Sequence, residues 1–210
     1  MTLPPSCPRC PGRLRAPGLM SSTWECERHG AVPPLHLSPR VAPELLAATA
    51  ARSGVPVWSP VPLLAGWSVT GLAAAGDERS RLRANLLALS GPSPLGGPAD
   101  LLLIAEEPGV GLGARYAGID QPDPGAVTGG PPDAKLEAAG HPTALWRCAS
   151  APDRMAFVGE AMGVWLWVVL WPPAAELVLL EHLALHDLRH DAHAATVLPV
   201  GPPTRRLTAA

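Results

Sequence analysis

Three cysteines and a histidine carry the clearest chemistry in this sequence: Cys7-Pro8-Arg9-Cys10 and, after fifteen intervening residues, Cys26-Glu27-Arg28-His29. Two C-x-x-C/H pairs at that separation present thiolate and imidazole ligands from two tight turns, as a tetrahedral structural zinc ion requires. Cys7, Cys10, Cys26 and His29 are therefore expected to ligate zinc in a zinc ribbon. Four protein ligands leave no open coordination position, so the metal is expected to be structural and to do no chemistry. In such turns backbone N–H groups point at the sulfurs, and a following glycine supplies a positive φ. Gly30 follows the second pair directly, whereas Pro11 follows the first and Gly12 comes one residue late. Arg13-Leu14-Arg15 and Thr23-Trp24-Glu25 read as a small hairpin, with Trp24 over the metal.

A second cluster runs from Glu106-Glu107 through Pro108-Gly109-Val110-Gly111-Leu112-Gly113 to Arg115, Tyr116 and Asp120. A strand emptying into a glycine-rich loop can turn backbone N–H groups toward an anion, with Arg115 as a planar clamp. There is no G-K-[ST], and the glycine spacing is not that of a dinucleotide fingerprint. Two carboxylates would also repel a phosphate. A tight turn whose glycines allow close backbone packing, with Arg115 paired to one of the acids, is the plainer expectation. If the loop binds a ligand, Glu106, Glu107, Arg115, Tyr116 and Asp120 are the residues to do it.

His182, His186 and His190 recur every four residues and would share a helix face, but Leu183, Leu185 and Leu188 fit a strand as well, which would scatter the imidazoles. No H-E-x-x-H pattern is present, and this stretch is expected to be a solvated tail. Cys148 reads as a buried thiol and His141 as a turn residue. No G-x-S-x-G elbow occurs.

Composition bounds the rest. The chain has 210 residues, 47% of them hydrophobic, enough for a substantial core, with 27 prolines and 21 glycines interleaved among apolar runs. The net charge of −2 gives no chain-wide attraction to nucleic acid or an anionic membrane. Residues 1–40 carry a formal +3, which three zinc-bound thiolates would reduce to +2. With Trp24 as the one aromatic there, nucleic-acid binding by the ribbon is a minor alternative. No signal segment precedes Pro4-Pro5, and the run Ala161–Trp171 is too short to span a bilayer, so a cytoplasmic protein is expected.

These residues need elements to hold them. Pro33-Pro34 and Ser38-Pro39 read as an extended connector. Pro43 and Glu44 open a short helix that Gly54 ends. From residue 55 onward, short apolar runs separated by turn residues predict strands at 55–58, 67–75, 83–90, 101–106, 135–139, 143–148, 155–158, 163–171 and 177–180, with hairpin loops at 76–80 and 140–142. Residues 121–133 hold four prolines and three glycines and read as a flexible excursion. Strand geometry at 163–171 sets Trp165, Trp167 and Trp171 on one face and Val164, Leu166, Val168 and Leu170 on the other, both expected to be core. The expected class is α+β: a zinc ribbon at 1–35, linker and short helix at 36–54, a β-rich, mostly antiparallel domain with few short helices at 55–200, and a tail at 201–210.

Cys7-Pro8-Arg9-Cys10, Arg15-Ala16-Pro17-Gly18, Val55-Pro56-Val57-Trp58, GPSPLGG at 91–97, EEPGVGLGARYAGID at 106–120 and Gly163-Val164-Trp165-Leu166-Trp167 together resemble an uncharacterised actinobacterial protein family. The likeness runs along nearly the whole chain. Members are sometimes labelled phosphotransacetylase, and no acetyl-CoA or phosphate signature accompanies the likeness here. The resemblance implies a cytoplasmic protein with a zinc-ribbon start and carries no catalytic residue to this chain. A closed metal site, balanced charge and the lack of a catalytic constellation lead to the expectation of a non-catalytic adaptor or regulator that meets a protein partner. An enzyme or small-ligand binder centred on 106–120 is the alternative.

Overall fold

The front of the chain forms three short strands, β1 (Leu14–Arg15), β2 (Glu25–Cys26) and β3 (Gly30–Ala31), in an antiparallel sheet of order β1-β2-β3. The computed structural model describes residues 3–207 other than 20, 39, 78, 127–129 and 182. Beyond the ribbon come β4 (Leu35–Ser38), helix α1 (Pro43–Arg52), β5 (Trp58–Pro60), β6 (Ser68–Ala75), β7 (Ala84–Pro92) and β8 (Pro98–Glu106). Helix α2 (Leu112–Ala117) follows, then β9 (Ala134–Ala138), β10 (His141–Arg147), β11 (Met155–Ala161) and β12 (Val164–Trp171). A 3-10 helix (Pro173–Leu180), β13 (Ala184–Asp187), α3 (Ala192–Val197) and a 3-10 turn (Arg205–Leu207) complete the described chain. The class is α+β, as the alternation of short apolar runs and turn residues implies.

Ten strands make one sheet of order β4-β6-β7-β8-β12-β11-β10-β9-β13-β5. Every pairing is antiparallel except β9 with β13. Sequence-adjacent strands are joined by tight hairpins whose turn residues explain themselves. Ala139 and Gly140 have φ of 50° and 80°, and Met162 and Gly163 have 56° and 77°. Two successive positive φ values match the right-handed twist of the flanking strands. His141 and Pro142, expected in the first of these turns, belong instead to β10, opposite Ala138 and Glu137.

Both faces of the central strands are buried, which is why those strands read as unbroken apolar runs. On one side Leu101, Leu103 and Ala105 of β8 join Leu166, Val168 and Leu170 of β12, covered by α1, α3, the 173–180 helix and Trp58. On the other Leu102 and Ile104 join Trp167, Val169 and Trp171, covered by α2 and Leu207. The tryptophan face is thus core, as expected. The sheet curls until β5 lies against β8, and Trp58, Ser59 and Pro60 are all buried.

Three segments depart from expectation. Residues 177–180 belong to a 3-10 helix and not a strand: Pro172 and Pro173 sit at its start, where missing N–H groups cost nothing, and the run behind them lacks a period-two alternation. The strand expected at 55–58 begins at Trp58, because Pro56 offers no N–H to a ladder. The connector after Pro33-Pro34 is itself β4, paired with β6 through Leu35↔Ala75 and Ser38↔Leu72. The last residues also return to the sheet: the Gly201 N–H donates to the Val69 carbonyl at 2.9 Å and the Thr204 N–H to the Thr70 carbonyl at 3.0 Å.

Candidate metal centre

The two ligand pairs stand on turns that the sequence builds for them. Before β1, the Cys7 N–H donates to the Gly12 carbonyl at 3.0 Å, closing the first knuckle. The Arg9 N–H donates to the Cys7 sulfur at 3.4 Å. Gly12 is needed for space, not for a positive φ: a Cβ there would stand 3.1 Å from the Cys10 sulfur. The second knuckle lies between β2 and β3, and Gly30, with φ of 67°, turns the chain out of it.

Cys7, Cys10, Cys26 and His29 converge, their ligand atoms all within 4.8 Å of one another. The Cys10 and Cys26 sulfurs are 3.8 Å apart, and His29 Nδ1 lies 3.4 Å from the Cys7 sulfur and 3.6 Å from that of Cys26. The cysteines are free thiols and fully or nearly buried, with Val32 and Leu14 packed around them; Trp24 is not part of that cluster. Burial pushes the Cys7 thiol up to about 12, while burial also acts to raise Cys26 but is outweighed by the N–H groups of Arg28 and His29, so its pKa is lowered. Burial, with Arg9 and Arg28, holds His29 below its ordinary value, which favours the neutral imidazole a metal needs. A cluster of this kind, three sulfurs and one nitrogen facing a common centre, can hold a metal ion.

The ribbon is docked. The Ser6 N–H donates to the Leu35 carbonyl and the Leu35 N–H to the Ser6 carbonyl, each at 2.9 Å, on the outer edge of β4. The Arg9 guanidinium donates to the Gly109 carbonyl and, at 3.2 Å, to that of Val110. Arg115 donates back to the Cys7 carbonyl at 2.9 Å. The glycine-rich loop is therefore the ribbon's seat. Arg9 and Asp123, which accepts from the Gly109 N–H at 2.8 Å and from Trp165 Nε1 at 3.2 Å, are the residues that reading by motif passed over. Only the position of Arg9 inside the knuckle hinted at its place.

The five loop residues singled out from the sequence have separate occupations. Glu106, with no exposed surface, accepts from the N–H groups of Leu112 at 2.6 Å and Gly113 at 3.2 Å, at the start of α2. Glu107 is at the surface, paired with Arg83 at 2.6 Å. Tyr116 is buried and donates to the Leu207 carbonyl at 3.2 Å. Asp120 is exposed beyond the end of α2, and Arg115 reaches the ribbon.

His186 lies in β13, and His190 follows it, 3.8 Å from the buried Asp187; His182 lies outside the described residues. The stretch read as a solvated tail is thus an interior strand with Asp187 as a hub, accepting from the Val57 N–H and the Arg189 N–H, both at 3.1 Å. Cys148 is buried, and burial pushes its thiol up to about 12. Among the described residues no helix is long and apolar enough to cross a membrane.

No curated protein matches the chain, and no solved structure matches it. A family pattern does match, over residues 1–207, so that ribbon and sheet fall within one shared unit, and the chain belongs to the family of unknown function DUF6758.

Proposed function

We propose that the chain is a non-catalytic zinc-ribbon adaptor or regulator, acting in a reducing cytoplasm, whose ribbon and sheet together present a surface to a protein partner. The observation that carries it is the sealed ligand set. A zinc ion with Zn–S near 2.3 Å and Zn–N near 2.0 Å has tetrahedral edges of about 3.8 Å between sulfurs and about 3.5 Å from sulfur to nitrogen. Three of the six ligand separations, 3.8, 3.4 and 3.6 Å, fit those edges, and all lie within 4.8 Å. Cys7, Cys10, Cys26 and His29 would fill all four positions, so the ion folds the ribbon and activates no water. The loop groups that an enzyme would draw on are engaged in capping α2, pairing with Arg83 and seating the ribbon.

Purified without chelator, the protein is expected to carry close to one zinc per chain, and Cys10→Ser to lose it. Elemental analysis checks both, and zinc-free wild-type protein overturns the reading. Partners captured from the native host with the wild type should be absent with Cys10→Ser at equal abundance. Retention of the same partners by the variant would remove the ribbon from the interface.

A further inference from the structure

Between β4, β6 and α1, on the face away from the ribbon's seat, lies a cleft of about 300 Å³. Leu45, Leu72 and Leu82 give it an apolar lining, and His36, Arg52 and Asp77 line it as well. The volume is at the lower end of the ~300–1,000 Å³ that small-molecule sites span, which restricts the occupant to a small one.

The charged groups have unspent valences. Arg52 ends α1 and is exposed, and its guanidinium has no hydrogen-bond or ion-pair partner among the described residues. Asp77 commits one oxygen, Oδ1, to the Arg79 N–H, the Ser80 N–H and the Ser80 hydroxyl, each at 3.0 Å. Its Oδ2 accepts nothing among the described residues. His36, Arg52 and Asp77 line the cleft together, so one cation and one anion border the same apolar surface. A lone carboxylate would meet Arg52 but also Asp77; a lone ammonium would meet the reverse. A ligand with both charges would meet both groups at once.

We propose that this cleft binds a small zwitterion with an aliphatic body, the chemistry a free branched amino acid presents: its carboxylate on Arg52, its ammonium on Asp77 Oδ2, and its side chain on Leu45, Leu72 and Leu82. This goes beyond the adaptor function and is independent of the metal, since no ribbon residue lines the cleft.

Calorimetric titration of the full chain with L-leucine tests it, against isocaproate, which lacks the ammonium, and isoamylamine, which lacks the carboxylate. Leucine is expected to saturate, with each analogue weaker by ~10-fold or more. Arg52→Gln and Asp77→Asn should each weaken leucine by ~10-fold, Asn keeping an oxygen for the turn that Oδ1 caps. Ala48→Phe, which fills the cleft from α1 without changing charge, should abolish binding, and Lys135→Gln in β9 should leave it unchanged; thermal melts of each variant confirm folding. No saturable heat from leucine, analogues binding as tightly as leucine, or charge variants indistinguishable from wild type would each overturn the proposal.

Discussion

Glu106 is a carboxyl with no exposed surface, at the mouth of α2, where two backbone N–H groups reach it. Burial pushes it up to about 8, against the pull of those N–H groups and the adjacent Trp167 indole, and Asp123 adds to the rise. The folded chain thus keeps a proton over the range from 4.5 to about 8 that the unfolded chain has already lost. Its contribution is complete below 4.5 and is given up as pH rises through about 8. The thermal midpoint of the wild type should therefore fall between about pH 5 and about pH 8 and level off above, and Glu106→Gln should flatten that slope while lowering stability at the acid end, because an amide NH₂ would face one of the two donors. A slope unchanged by the substitution would assign the titration elsewhere. Gly113 shows the same crowding: an added Cβ would stand 2.2 Å from the Trp167 ring. Gly113→Ala is expected to cost ~3 kcal/mol in urea unfolding, despite alanine's better helix propensity, as overpacked cores do.

The ribbon and its seat depend on one another. Arg9 leaves the first knuckle to hold the carbonyls of Gly109 and Val110, and Arg115 leaves α2 to hold that of Cys7. Arg9→Ala should speed amide exchange in residues 3–35 by about tenfold while zinc content stays at the wild-type level, since no ligand is touched. Chelation should free the same amides further and leave those of β8 and β12 protected. Loss of protection across the whole sheet on chelation would mean that the two parts unfold as one. The ligand set was legible in the sequence because short-range spacing specifies it, and so were the hairpin strands, because turn residues and apolar runs are local signals. Helix α2 was hidden by its glycines: Gly111, with φ of 84°, caps it, and Gly113 makes room for Trp167, yet in sequence both read as loop. Strand β13 was hidden for the opposite reason, since its partners, β9 in parallel and β5, are remote in the chain. The run 173–180 is apolar and short, and periodicity does not separate strand from helix at that length.

For the molecule as a whole, the sheet buries both faces and curls one margin inward, so that β5 ends up inside. The opposite margin is β4. Along its outer side Leu35 is bonded to Ser6, and among the described residues Leu37 has no outward backbone partner. A strand margin with free N–H and C=O groups pairs readily with another chain. Deleting residues 1–12 should therefore make the mass by light scattering rise with concentration more steeply than in the wild type, whereas replacing Cys10 alone, which leaves Ser6 in the chain, should do so less.

The paired bonds between Ser6 and Leu35 give the front module a duty that no partner need be present to reveal. It works as a selvage, keeping an otherwise adhesive border from knitting to its neighbours. Whatever frees Ser6 from that border would thus be felt first as stickiness.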